Sequence, residues 1–198
     1  MLVANEGKPK KSSDIVVPDP DIGVGTPTVA INQATIESSF TEQNVFRFLS
    51  GEIGSAELLG FTDEDAVGFA KYAYDFYQNG RFMDAARIFA NLVTMKPENS
   101  YFQAMWGACL QMLDEPEKAM RAYNVAIELD KDNIQARVNR ADLLLQKANF
   151  DAALDDLEFI VKLDPEGKHP ATQRARALGA ATAQALRVLA DIMKSRNQ

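Results

Sequence analysis

The chain has 198 residues, 46% of them hydrophobic and 25% charged, proportions of an ordinary globular protein with enough length for a real core and a tail. Its 21 basic and 28 acidic residues leave a net charge of -7, which repels phosphate backbones and makes nucleic acid a poor partner. A single cysteine, Cys109, cannot close an internal disulfide, and no apolar run approaches the roughly 18 residues of a membrane span.

Residues 1–33 begin MLVANEGKPKKSSD, with lysines after a very short apolar run and nothing resembling a signal-peptide core, so neither secretion by a cleaved signal nor stable membrane insertion is expected. Pro18, Pro20 and Pro27, two glycines in DIGVGTP and the absence of helical or strand periodicity predict a disordered tail. GVG within it is not a phosphate loop, because no strand precedes it and no Gly-Lys-Ser/Thr follows. The KPKK cluster reads as plain solvation.

Across residues 34–61 the pattern changes. Phe40, Val45, Phe46, Phe48, Leu49, Ile53, Leu58, Leu59 and Phe61 are interrupted by Ser50-Gly51, Gly54 and Gly60, which predicts two short helices. Apolar side chains at this density must be buried against something. Packing on the rest of the chain and homodimerisation through residues 36–61 both remain open.

Thr62 opens the next segment, with Asp65 three residues on, a variant of the capping box with acids beside the positive end of the helix dipole. A long helix to about Asn79, a Gly80 turn and a second helix from Phe82 to just before Pro97 make a hairpin. Shifting by 34 residues carries Gly80, Ala85, Phe89 and Met95 onto Asp114, Ala119, Tyr123 and Leu129. A second shift reaches Ala148, Ala153, Leu157 and Leu163. Two helices per period of about 34 residues is the tetratricopeptide signature. The fold class is therefore all-α, a tetratricopeptide-repeat superhelix of three hairpins over residues 62–165. Further hairpins are predicted from Ser100–Leu113 with Pro116–Leu129 and from Asn133–Lys147 with Phe150–Leu163.

Residues 168–196 are rich in helix formers, with Ala175, Leu178, Ala181, Ala185, Leu189 and Ile192 on one apolar stripe. Arg174, Arg176, Gln184, Arg187, Asp191 and Lys194 suit the polar outer face of a terminal capping helix. His169 stands beside Pro170 with no second His or Cys near it, so it is read as structural, with no metal and no cofactor expected.

In a stacked array of hairpins the first helix of each pair lines the concave side. Its groove positions carry Val67, Ala70, Tyr74, Tyr77 and Gln78, then Tyr101, Ala104, Ala108, Gln111 and Met112, then Gln135, Val138, Asp142, Leu145 and Gln146. That face is apolar and aromatic with amides and one charge, the character of a peptide-binding site. Tyrosines stack on proline rings, Met112 and Leu145 line a pocket for an aliphatic side chain, and Gln78, Gln111 and Gln146 can pair with the backbone of an extended ligand. The alternative is that the protein's own N-terminal segment or C-terminal helix fills the groove. No paired carboxylates on one face and no nucleophile with a base emerge, so an enzyme is not expected.

FLSGEIGSAELLGFTDEDAVGFAKYAYDFYQNGRFMDAARIF, YFQAMWGACLQML and ADLLLQKANFDAALDDLEF together resemble the class II chaperones of type III secretion systems. Gly-Ala-Cys in the second repeat and Leu-Leu-Gln-Lys in the third are more specific than the general repeat consensus, and the resemblance spans residues 46–165. It implies a cytoplasmic, non-enzymatic chaperone that keeps hydrophobic translocators soluble before export. It also implies binding of an extended, proline-bearing client segment and frequent dimerisation through the N-terminal helices. By that resemblance the client-binding role passes to Tyr74, Tyr77, Ala108, Gln111, Val138, Asp142 and Leu145. Two departures stand out. Ala70 occupies a place where a larger aromatic is common, which implies either a wider first pocket or a bulkier client residue there. Arg137 and Arg140 occupy usually apolar places, which implies a salt bridge to a nearby acid or a different seam. The competing class is a general repeat adaptor for another peptide. A clamp for a C-terminal carboxylate on the first helices is disfavoured, because Ala70, Tyr74, Ala104 and Gln135 stand where Lys, Arg and Asn are needed.

Overall fold

The computed structural model describes residues 38–196. The expected tail over 1–33, and the start of the segment over 34–61, lie outside the described residues. In order, the helices are α1 (Glu42–Leu49), α2 (Ser55–Leu58), α3 (Asp63–Gln78), α4 (Phe82–Met95), α5 (Ser100–Met112), α6 (Pro116–Leu129), α7 (Ile134–Gln146), α8 (Phe150–Leu163) and α9 (Pro170–Arg196). No strand occurs among the described residues. Three antiparallel pairs, α3–α4, α5–α6 and α7–α8, stack in sequence, and α9 packs on α7 and α8.

Local chemistry sets each boundary. At α3 the Thr62 hydroxyl accepts the Asp65 N–H at 3.1 Å while the Asp65 carboxylate accepts the Thr62 N–H at 2.9 Å, the reciprocal capping box. Asn99 and Asn133, equivalent in adjacent repeats, cap α5 and α7 by accepting the N–H groups of Phe102 and Ala136. The first helix of every pair ends the same way. Arg81 N–H reaches back to Phe76 C=O at 2.8 Å, Glu115 to Leu110 at 2.9 Å, and Asn149 to Leu144 at 2.9 Å. This closure places the preceding residue in the left-handed region, with φ of 75° at Gly80, 59° at Asp114 and 56° at Ala148. The three residues aligned by the repeat shift therefore share one backbone conformation.

The core follows the same alignment. Ala85, Ala119 and Ala153, and Phe89, Tyr123 and Leu157, are all buried. The alanines let paired helices approach and the large side chains fill the seam. Gly107 has a sharper constraint. A Cβ there would lie 2.7 Å from Cε1 of Tyr123, whose ring is buried and tied down by its hydroxyl.

Arg137 and Arg140 resolve to the salt-bridge alternative. Both converge on Asp156 of α8, Arg137 at 2.9 Å and Arg140 through two bonds of 2.7 Å, the carboxylate being buried. Arg140 also donates to Asn124 of α6, and the Arg137 guanidinium lies 3.7 Å above the Phe159 ring. The cluster thus joins α6, α7 and α8.

The two ends differ from the middle. Ile53, Ala56, Leu58 and Phe61 are buried, and Phe61 stacks on Phe69. By contrast α1 has no buried residue, with Phe46 70% and Leu49 77% exposed. Of the stripe expected on the last helix, Ala175 is buried and Leu178 half-buried, but Ala181, Ala185, Leu189 and Ile192 are exposed. The reason is length. α9 has 27 residues against 14 in α8, so its distal half runs past the end of the array.

Candidate functional site

The first helices α3, α5 and α7, with the start of α9, form one side of the array. Stacking first helices closely requires small side chains where they touch, and the sequence supplies Ala70, Ala104, Ala108 and Val138 at those places. All four are buried, so they form the floor and present no open pocket. This corrects the expectation of a wide first pocket at Ala70, which instead sits in a cluster with Ala73, Phe89 and Met105.

Tyr77 requires the same correction. It is 1% exposed, meets the Phe82 ring edge-on at 5.3 Å, and its hydroxyl has no hydrogen-bond partner. Burial pushes its ionisation well above the ordinary tyrosine value, so it is a neutral core residue beneath the groove. Gln111 is buried as well. Six of the twelve expected site residues, Tyr74, Gln78, Tyr101, Met112, Asp142 and Leu145, reach solvent, with Gln78 the most open. Tyr101 is held by edge contacts with Phe89 and Phe102.

Below this surface runs a polar ladder. The Tyr123 hydroxyl donates to Gln111 Oε1 at 2.8 Å, and Gln111 Nε2 donates to Asp142 Oδ2 at 3.0 Å. Gln146 donates to the same Asp142 oxygen at 2.9 Å. Two glutamines expected to meet a ligand's backbone are thus engaged with Asp142. Arg174 closes the ladder from α9, donating to Asn139 Oδ1 at 3.3 Å and standing 3.8 Å from Asp142 Oδ1. Arg174 therefore faces inward, not along the polar outer face expected for it. Arg176 stays at the surface, donating to the Pro165 carbonyl at 2.6 Å. Nothing in the repeat spacing pointed to Arg174, because the loop before α9 resets the helical phase.

His169 is part of the α9 start. Its Nδ1 accepts the Ala171 N–H at 3.1 Å, which leaves the proton on Nε2, 2.6 Å from the Gln135 amide. Gln135 must therefore turn its carbonyl oxygen toward the ring. Cys109 is buried, and burial pushes its thiol up to about 12, so no thiolate is present at neutral pH. The arrangement offers apolar area, tyrosine rings and amides to a ligand.

No protein-family model matches the sequence. Low calcium response locus protein H of Yersinia pseudotuberculosis is 25% identical over 153 residues, covering 76% of this chain and 91% of that protein. A type III secretion complex from Aeromonas hydrophila matches with TM-score 0.64 at 19% identity, over 74% of this chain and 99% of the other. The Yersinia enterocolitica translocator chaperone SycD, in complex with a peptide of the translocator YopD, matches at TM-score 0.57 and 21% identity, over 64% and 95%. The fold is that of the type III secretion translocator chaperones. This translocator-chaperone fold is shared more widely, since the first repeat domain of Spaghetti (RPAP3), bound to an HSP90 peptide, matches at TM-score 0.55 and 18% identity. No helix among the described residues is long and apolar enough to cross a membrane.

Proposed function

We propose that the protein is a cytoplasmic type III secretion chaperone. It holds an extended, proline-containing segment of a hydrophobic translocator in its concave groove and keeps it soluble before export. The observation that carries this is the character of the solvent-reaching groove. Tyr74, Tyr101, Met112 and Leu145 offer aromatic and aliphatic contacts bordered by Gln78 and Asp142, on a fold whose solved examples include complexes with translocator peptides. Proline rings stack on tyrosine, and an extended peptide loses little further entropy on binding. The role is one of binding, with no catalytic step.

A homodimer through residues 36–61 belongs to the same proposal, supported by the exposed apolar face of α1. The second reading, an adaptor for another peptide, is favoured by the likeness to the HSP90-peptide binder. The first-helix groove positions supply no basic clamp for such a peptide, which weighs toward an apolar client.

Co-expression with translocators encoded near the gene, followed by pull-down, tests the proposal. The combined Tyr74→Ala, Met112→Ala and Leu145→Ala variant removes three half-buried groove contacts and should weaken capture at least tenfold, since burying one such side chain is worth about 1.5–3 kcal/mol. Undiminished capture by the folded variant sinks the groove mechanism, and capture of unrelated peptides with no translocator binding supports the adaptor.

A further inference from the structure

Arg174 places a cation against a groove whose lining positions on α3, α5 and α7 carry neither Lys nor Arg. Its contacts are loose by the standard of the protein's other half-buried arginines. Arg140 grips Asp156 through two bonds of 2.7 Å, whereas Arg174 makes one bond of 3.3 Å and approaches Asp142 only to 3.8 Å. Charge-assisted bonds in good geometry lie near 2.7–2.9 Å. These two contacts occupy few of the five N–H donors on a guanidinium. Asp142 does not depend on Arg174, because its other oxygen already accepts from Gln111 and Gln146. The two charged side chains are about a fifth exposed, 21% and 18%, so neither is sealed from the groove and solvent screens them less than at the open surface.

We infer that Arg174 recognises a carboxylate of the bound segment, either an Asp or Glu side chain or the carboxylate of a free C-terminus, at the α7–α9 end of the groove. This rests on the reading of the groove as a peptide site. Arg174 is well formed for it, since a planar fork can hold both oxygens of a carboxylate while staying in place beside Asn139. Asp142 opposes the incoming charge, and the amide bonds from Gln111 and Gln146 spread that charge without cancelling it, so the gain is selective and modest. Arg174 is thus a specificity residue placed on the capping helix, outside the three repeats that supply the apolar contacts.

The probes are short fluorescein-labelled synthetic peptides with a central proline and apolar flanks. They differ only in an interior Asp, Asn or Lys and in a free or amidated C-terminus. By fluorescence anisotropy, the full-length protein should bind either the Asp peptides or the free-terminus peptides about tenfold more tightly than the amidated Asn peptides, about 1.4 kcal/mol, and the arm that responds names the carboxylate source. Arg174→Gln should abolish that preference while keeping neutral-peptide binding, which also shows that the variant is folded. Arg174→Glu should turn the preference toward Lys. Equal binding of acidic and neutral peptides by the unmodified protein, or a preference that persists in Arg174→Gln, overturns the inference while leaving the groove intact. If no peptide of any charge binds the unmodified protein, the groove reading fails and this inference with it.

Discussion

The left-handed turn that ends each first helix makes three single residues directly comparable. Gly80 adopts φ 75° without penalty, and Asp114 is of a type that tolerates this region. Ala148, at φ 56°, has no such allowance, and its Cβ crowds the following carbonyl at about 1–2 kcal/mol. Ala148→Gly should therefore raise stability by about 1 kcal/mol, with the gain in unfolded-state entropy trimming the full penalty. For a protein of this size the midpoint should rise by about 2–4 °C in a thermal melt, and an unchanged or lower midpoint counts against the strain. Aligning the repeats was enough to find this position, because the turn is local and recurs. Tyr77 shows the opposite case. Its place on the first helix put it in the groove, yet Phe82 on the paired helix covers its ring, and that packing depth is a tertiary property.

At the level of elements, two polar devices hold the third hairpin and its cap. Asp156 receives Arg137 and Arg140, both from α7, across the α7–α8 seam. Removing the acid leaves two half-buried guanidinium groups without their anion, so Asp156→Ala should cost about 3–5 kcal/mol in denaturant unfolding. A loss below about 1 kcal/mol would show the seam to be held by Leu157 and Ile160 alone. The second device is the turn into α9. The Asp164 carboxylate accepts the N–H groups of His169 at 2.9 Å and Lys168 at 3.1 Å. Hydrogen bonding to this carboxylate, the His169 N–H foremost and the Lys168 N–H contributing, lowers its pKa from 3.8 to about 2. A folded-state pKa below the unfolded one means that the stabilisation is present above about pH 4 and disappears as pH falls toward 2. In Asp164→Asn this part of the acid-induced loss should be missing, measured as a shallower decline of stability between those pH values. An unaltered slope would assign the acid limb to other carboxylates. A salt bridge for Arg137 and Arg140 was already one of two readings of the sequence, since charge at an apolar repeat position demands a partner. Which acid answered, and that Arg174 turns inward, depended on the phase of α9 after the loop from Asp164 to His169, which no repeat spacing sets.

On the scale of the whole molecule, apolar surface remains at both ends of the array as well as in the groove. At the N-terminal end α1 exposes Phe46, Phe48 and Leu49, with Phe40 and Leu59 also exposed nearby. At the other end the distal half of α9 exposes Val188, Leu189, Ile192 and Met193. The two surfaces are not equivalent. α1 is short and buries nothing of its own, so its amphipathic face gains its main stabilisation only from a covering surface. α9 is anchored through Ala171, Thr172 and Ala175, and its overhang continues a helix already nucleated. Self-association should therefore use α1. Light scattering at micromolar concentration should give twice the monomer mass. Phe46→Asp with Leu49→Asp should give a monomer whose thermal melt remains cooperative, and Ile192→Asp should leave the dimer intact. A monomeric parent protein removes the dimer proposal altogether. A dimer that survives the α1 changes but falls apart with Ile192→Asp moves the interface to the opposite end, where two copies would meet through their C-terminal helices and the N-terminal faces would stay open to a client.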